Sequence, residues 1–321
     1  MGLPLLVVLL IGGLALLTVG GELLVRGATA IAKQLGLTTT VIGLTVVAMG
    51  TSLPELAVSL YAALGGTPDI AIGNVVGSNI ANIGLILGIT AMVTALPVYG
   101  SAVRLAWPFM FAASWVAVLL ARDGSFDRLE GGFFIVCLVL FVTFMVHGSR
   151  LEVKAGEAAE IEAMVKARAP AFDRRNLAVA LLLVLGGSGM LFLGGKLLVD
   201  GAVGLARMAD ISERVIGLTL VAVGTSLPEL ATSLVAAYRG HGEVAVANVI
   251  GSNIFNLLGI LGTTALVKPI PVAAQVIGSD LWWMLGIALL LLPMLWFRSN
   301  LSRVEGGVLL TGYLVYVALL W

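Results

Sequence analysis

The sequence predicts an all-α polytopic membrane protein, with ten transmembrane helices forming two inverted-topology five-helix repeats, and three observations predict it. Of its 321 residues, 60% are apolar and 11% charged, and the mean hydropathy is +1.09, a composition that belongs to membrane proteins rather than soluble domains. The apolar residues gather in runs long enough to cross about 30 Å of hydrocarbon as helix. The two halves of the chain are also copies of one another.

Charged residues and Pro/Gly breaks mark ten apolar cores near residues 3–24, 39–63, 70–96, 105–121, 131–147, 177–199, 214–238, 244–266, 281–297 and 305–321. The first run follows Met1-Gly2-Leu3-Pro4 with no basic segment before it, and it is expected to be a retained span rather than a signal peptide. Between the fifth and sixth cores lies a polar segment, 148–176, whose charges include Arg150, Glu152, Lys154, Glu157, Lys166 and Arg168. It is too charged to enter lipid and is expected to be a solvated connector. Ala155–Arg168 has no Pro and no Gly after Gly156, and there a surface helix is expected. The chain thus divides into a repeat at 1–147, a loop at 148–176 and a repeat at 177–321.

Orientation follows from lysine and arginine in the loops. With the N-terminus outside, Arg26, Lys33, Arg104, six basic residues of the central loop, Arg239, Arg298 and Arg303 lie inside. Only Arg122, Arg128, Arg207, Arg214 and Lys268 then lie outside. Both termini are therefore expected outside and the central loop in the cytoplasm. The formal net charge is zero, so no basic field suggests nucleic acid. The single cysteine, Cys137, excludes an intrachain disulfide and is expected to be a small apolar packing residue. His147 and His241 stand near span ends, at the expected interfaces.

Aligning Ile42–Gly88 with Ile216–Gly262 at a constant offset of 174 needs no gap, and about 30 of the 47 positions are identical. The register extends backward, where Gly20-Gly21-Glu22-Leu23-Leu24-Val25 meets Gly194-Gly195-Lys196-Leu197-Leu198-Val199, and forward from Arg128 to Arg303 at an offset of 175. Five spans separate each element from its copy, and an odd number reverses direction across the membrane. This inverted repeat is the arrangement in which secondary transporters place a substrate site near the midplane.

The duplicated stretch is Gly50-Thr51-Ser52-Leu53-Pro54-Glu55, repeated as Gly224-Thr225-Ser226-Leu227-Pro228-Glu229. A carboxylate at the centre of a membrane helix costs about 2.5 to 3.5 kcal/mol, so two at matching positions point to function. Pro54 and Pro228 lack an amide hydrogen, which frees the carbonyls of Gly50 and Gly224. Freed carbonyls at membrane depth are tolerated where they line a polar cavity, and a cation satisfies them. Thr51 and Glu55 share a helical face beside the loosened turn, as do Thr225 and Glu229. A kink alone is the simpler explanation of a lone proline, but it does not explain a duplicated glutamate.

The third and eighth spans add Gly73-Asn74-Val75-Val76-Gly77-Ser78-Asn79-Ile80-Ala81-Asn82 and Ala247-Asn248-Val249-Ile250-Gly251-Ser252-Asn253-Ile254-Phe255-Asn256. Ser78 and Asn82 share a face, and so do Ser252 and Asn256, in register with the glutamates. Gly77 and Gly251 read as close-packing positions, and Asn74, Asn79, Asn248 and Asn253 are also suited to bonding helix to helix. The resulting inventory contains carboxylates, hydroxyls, amides and carbonyls, with no histidine or cysteine. Oxygen-only sets suit hard cations such as Ca²⁺ and Na⁺ rather than zinc or copper. Two glutamates neutralise one divalent ion, and several monovalent ions in its place leave excess positive charge, so such an exchange is expected to be voltage-sensitive.

Two inverted repeats, each with a GTSLPE second span and a third span of GNxxGSN type, resemble the sodium/calcium exchangers of the cation/calcium antiporter superfamily, particularly the short prokaryotic members. The resemblance covers essentially the whole chain. It implies Ca²⁺/Na⁺ antiport by alternating access, with the first and sixth helices sliding past the rest, in a prokaryotic plasma (inner) membrane. It further implies a calcium position at Glu55, Glu229, Thr51 and Thr225. Sodium positions would add the Ala48 and Ala222 carbonyls, Ser52, Ser226, Ser78 and Ser252, with Asn82 and Asn256 facing the middle. Relatives often carry aspartate at one of these last two positions; asparagine at both removes a titratable group and argues against potassium dependence.

Ca²⁺/H⁺ antiport, with the glutamates trading metal for protons, is the alternative reading, and a passive channel is a third. An intramembrane hydrolase would use the glutamates as acid and base, but freed carbonyls and paired amides offer no logic for positioning water or a leaving group. No enzymatic activity and no cofactor beyond the transported ions are therefore expected. A monomer is compatible with this inventory.

Overall fold

The structure, a computed structural model, describes residues 2–34, 48–98, 101–156, 174–238, 240, 242–296 and 300–320. Each of the ten apolar cores contributes helix among these residues. The first repeat holds α1 (Leu3–Gln34), α2 (Ala48–Thr51 and Leu53–Gly65), α3 (Pro68–Val93), α4 (Ser101–Leu120) and α5 (Arg128–Gly156). The second holds α6 (Arg174–Ala209), α7 (Glu213–Thr225 and Leu227–Tyr238), α8 (Gly242–Ile254 continuing through Gly262–Val267), α9 (Val276–Asp280 and Leu281–Trp296) and α10 (Arg303–Leu319).

Seven of the described helices are by themselves long and apolar enough to cross a membrane, and the bent pair of α7 makes an eighth. The predicted start of the second core, 39–47, lies outside the described residues, which leaves α2 with the 13-residue apolar piece Leu53–Gly65. Three helices outrun their apolar cores: α1 continues to Gln34, α5 to Gly156, and α6 runs from Arg174 to Ala209. Hydropathy marks where a helix leaves lipid, whereas the backbone ladder persists into water when nothing breaks it. Most of the surface helix expected over Ala155–Arg168 lies outside the described residues, as does His241.

Burial ranks the helices by their distance from the centre. The apolar windows of α3 and α8 are 83% and 89% buried, against 22% for α1 and α6 and 11% for α5. On α5 the exposed large apolar side chains are Leu129, Phe133, Val136, Val139, Leu140 and Phe144, an apolar surface suited to lipid. The innermost pair, α3 and α8, therefore follows α2 and α7 directly in the chain, and these four helices carry every predicted site residue.

α1 and α6 pack against each other through small residues spaced seven apart. Gly13 faces Gly194, Gly20 faces Gly187, and Gly27 faces Ala180. As numbers rise on one helix they fall on the other, so the two run antiparallel. A Cβ on Gly20 would stand 2.9 Å from the Gly187 carbonyl oxygen, and one on Gly27 would stand 2.6 Å from that of Ala180. Such contact brings backbones together without polar glue, as membrane helix pairs commonly do.

Two short antiparallel bridges join the repeats. β1 (Leu96–Pro97) pairs with β4 (Asn300–Leu301), matching Leu96 with Leu301, and β2 (Ser125–Phe126) pairs with β3 (Ile270–Pro271), matching Phe126 with Ile270. Shifting one register by 174 and 175 residues yields the other, so the same clasp occurs once in each orientation. A buried ion pair ties α7 to α9: Arg214 Nε donates to Asp280 Oδ2 at 2.8 Å, and the Tyr316 hydroxyl of α10 donates to Oδ1 at 3.3 Å.

Candidate functional site

The proline motif breaks both helices at the serine. In α2 the helix ends at Thr51 and restarts at Leu53, with Ser52 at φ −88°, ψ 7°. In α7 Ser226 takes φ −85°, ψ 7°, and the two pieces meet at 44°. Pro54 and Pro228 sit in the first turn of the restarted helices, where a missing amide costs least. The break puts a buried turn of backbone at Gly50–Ser52 and Gly224–Ser226, where the Ser52 and Ser226 carbonyls accept from the Leu56 and Leu230 amides, and each glutamate follows in the first turn of the next piece.

At this junction each repeat reaches into the other. Ser52 Oγ donates to Glu229 Oε1 at 3.1 Å, and Ser226 Oγ donates to Glu55 Oε1 at 2.9 Å. The hydroxyls of Thr51 and Thr225 bear on the same opposing carboxylates, Glu229 and Glu55. Glu55 is 1% exposed and Glu229 fully buried. A buried carboxylate requires compensation, and the two serine hydroxyls crossing between repeats supply part of it.

The rest is unmet. Glu55 Oε2 and Glu229 Oε2 have no hydrogen-bond partner, and neither do Asn82 Oδ1, Ser252 Oγ, Asn79 Oδ1 and both polar atoms of Asn256. Unpartnered buried oxygens are rare and costly, and here they concentrate on the predicted site residues. Among the described residues no three His, Cys, Asp or Glu side chains come together. Any cation held here must therefore take hydroxyl, amide and carbonyl oxygens beside the two carboxylates, as hard ions do.

Ser78 Oγ lies 3.5 Å from the Ala222 carbonyl. Ala48 opens the short piece of α2 that ends at Thr51. Asn82 and Asn256 lie where α3 and α8 widen into π-helix, at Asn82–Leu87 and Phe255–Leu261. A π-turn shifts side chains out of the regular register and commonly marks a functional position.

Sequence reasoning left the other asparagines as candidate helix-to-helix bonds, and the structure separates their roles. Asn74 Nδ2 donates to the Glu55 carbonyl at 3.1 Å and to Ser59 Oγ at 2.9 Å, while its Oδ1 accepts from Thr225 at 3.1 Å. It joins the glutamate turn of one repeat to the threonine of the other. Asn248 bonds to Ser233 at 3.3 Å, the copy of the Ser59 contact. Asn253 Oδ1 accepts from Asn82 Nδ2 at 3.0 Å. Ser59 and Ser233, buried one turn beyond the glutamates, were missed; their signal is the shared Glu-Leu-Ala-x-Ser spacing. Glycines bring the elements close enough for these contacts: a Cβ on Gly77 would fall 2.6 Å from the Leu218 carbonyl oxygen and 2.8 Å from Ala222 Cβ.

Comparison with known proteins agrees with this architecture. The family described as sodium/calcium exchanger protein matches residues 5–147 and 179–321. The inner membrane protein YrbG of Escherichia coli (strain K12) is 36% identical over 317 residues, covering 98% of this chain and 96% of that protein. The sodium/calcium exchanger MaX1 of Methanosarcina acetivorans is 34% identical over 341 residues, covering 98% and 97%. A solved structure of the sodium-calcium exchanger NCX_Mj, soaked with Na⁺ and Sr²⁺, superposes with a TM-score of 0.67 at 33% identity, covering 99% of each chain.

Proposed function

The chain belongs to the sodium/calcium exchanger protein family, and from that premise we propose how its site works. The protein is a secondary antiporter that exchanges Ca²⁺ for Na⁺ across the membrane. Glu55 and Glu229, with oxygens of Thr51 and Thr225, hold Ca²⁺ between the two repeats. Na⁺ takes positions built from Ser52, Ser226, Ser78 and Ser252 with the Ala48 and Ala222 carbonyls, and Asn82 and Asn256 face the centre. The observation that carries this reading is the crossed pair of hydroxyl–carboxylate bonds, each leaving one glutamate oxygen unpartnered and buried.

Two carboxylates hold one Ca²⁺ at neutrality, so Na⁺ and Ca²⁺ compete for the same negative charge. Competition for one site, combined with access from one face at a time, couples the fluxes when the empty site does not switch faces, and two unneutralised buried glutamates oppose that switch. The units are the repeats 1–147 and 177–321, joined by a cytoplasmic loop at 148–176, with both termini on the outer side of a prokaryotic plasma membrane. Orientation rests on the basic residues of the loops. Vesicles reconstituted with the protein and loaded with Ca²⁺ will release it when Na⁺ is added outside. A pH gradient without Na⁺ will not drive release; release driven by protons alone overturns the choice of coupling ion.

A further inference from the structure

A cavity of about 610 Å³ opens between α1, α2 and α7, and its wall runs from Glu22 and Arg26 on α1 to Gly50 and Thr51 at the candidate site. Glu22 and Arg26 form an ion pair one helical turn apart, and both are largely exposed. Charged side chains on a membrane helix face protein or water and mark ion pathways. This pair lines a passage that ends at the threonine beside Glu229.

The repeat makes the pair unusual. Thr51, Ser52, Glu55, Ser78 and Asn82 all recur unchanged at an offset of 174, but Glu22 becomes Lys196 and Arg26 becomes Asp200. The order of charge is reversed where everything at the site is kept. Asp200 instead lines a second cavity, of about 630 Å³, with Tyr61, Thr67 and Arg207, and that wall includes none of the predicted site residues. The Glu22 passage belongs to the end of α1 where Gly27 meets Ala180, near the start of α6, and so to the face bearing the 148–176 loop.

We propose that Glu22 is a cation-recruiting station on the passage between the loop-bearing face and the site, and that Arg26 is the tethered competitor cations must displace from it. The proposal rests on the exchanger reading for the identity of the cations, Na⁺ and Ca²⁺. A carboxylate lining a cavity raises the local cation concentration, while the guanidinium cancels that field when paired. The device is one-sided because the second repeat carries lysine at the equivalent position.

The test uses the full chain in vesicles of defined sidedness. Glu22→Gln leaves Arg26 uncompensated and will raise the half-saturating concentrations on the loop-bearing face, by about threefold for Na⁺ and about tenfold for Ca²⁺, because a local potential acts on a divalent ion as the square of its action on a monovalent one. Arg26→Gln will lower both on that face, and the double variant will return close to wild type. Unchanged values, equal shifts on both faces, or shifts of the same sign in the two single variants overturn the proposal. A second readout needs no transport. With Cys137 replaced by Ala and Thr18→Cys placed in the cavity wall, a cationic methanethiosulfonate will react faster than an anionic one in the Arg26→Gln background, and adding Glu22→Gln will abolish that preference. A preference that survives overturns the proposal. If wild-type vesicles show no Na⁺–Ca²⁺ exchange, the functional reading fails, and the thiol rates still decide the recruiting station.

Discussion

Each buried glutamate takes a serine hydroxyl from the opposite repeat, so each carboxylate is held by both repeats. Replacing either Glu55 or Glu229 with Gln keeps the shape and removes one of two charges facing a divalent ion. A loss of about 3 kcal/mol, or roughly a hundredfold in Ca²⁺ affinity, is expected from either variant, with transport falling below detection. Ser52→Ala and Ser226→Ala each remove a bond to a charged acceptor and will weaken binding by about 1.5 to 3 kcal/mol. Symmetry requires the two serine effects to be similar, and titration of cation-dependent thermal stability measures both. At this scale the sequence located the glutamates because a carboxylate in an apolar run is costly and therefore informative. It did not distinguish Asn74, which joins Glu55 to Thr225, from Asn79, which bonds to the Val75 carbonyl of its own helix. Helical spacing gives the face of a residue; the partner across the gap depends on packing.

The helices are positioned by close contact at glycine. Gly77→Ala places a methyl 2.6 Å from the Leu218 carbonyl oxygen and forces α3 away from α7. A loss of about 1 to 3 kcal/mol is expected, together with loss of exchange. Gly12→Ala and Gly189→Ala, whose added atoms meet nothing within 4 Å, will be neutral or stabilising by about 0.5 to 1 kcal/mol. Melting temperatures in detergent separate the two classes. The ten elements were legible because each apolar run had to match the bilayer. The helix ends were not, since α1, α5 and α6 continue into polar sequence, and neither were the π-turns at Asn82 and Asn256, because an i→i+5 bond needs no particular composition. The two-residue strand clasps were invisible for a related reason: their residues pair only after the repeats have come together.

Across the whole molecule, duplication with inversion gives two opposed copies of the proline motif, and the crossed serine–glutamate bonds link them, so the proposed site draws on both repeats. The inversion was readable from the offset of 174 and the five intervening spans, whereas the broken symmetry at Glu22 and Lys196 acquired a meaning only once the cavity reached Thr51. In the proposed site two carboxylates and two central asparagines leave one bound Ca²⁺ neutralised, and each Na⁺ beyond two in its place adds one positive charge. Each net charge moved is worth about 2.3 kcal/mol per 100 mV, so if the exchange carries one net positive charge inward, a potential negative inside will favour Ca²⁺ extrusion by roughly fiftyfold per 100 mV in the equilibrium Ca²⁺ ratio, and an electroneutral exchange will show no such dependence. Clamping vesicles with valinomycin and graded K⁺ checks the sign and the size.

The most direct test of the shared site is Ca²⁺ binding to the purified protein at a series of fixed Na⁺ concentrations. One Ca²⁺ per chain is expected, displaced by Na⁺ with a dependence steeper than first order, and lost in both Glu55→Gln and Glu229→Gln. Ca²⁺ binding that is indifferent to Na⁺, or that survives either glutamate replacement at full affinity, would contradict a single cage built from the two repeats.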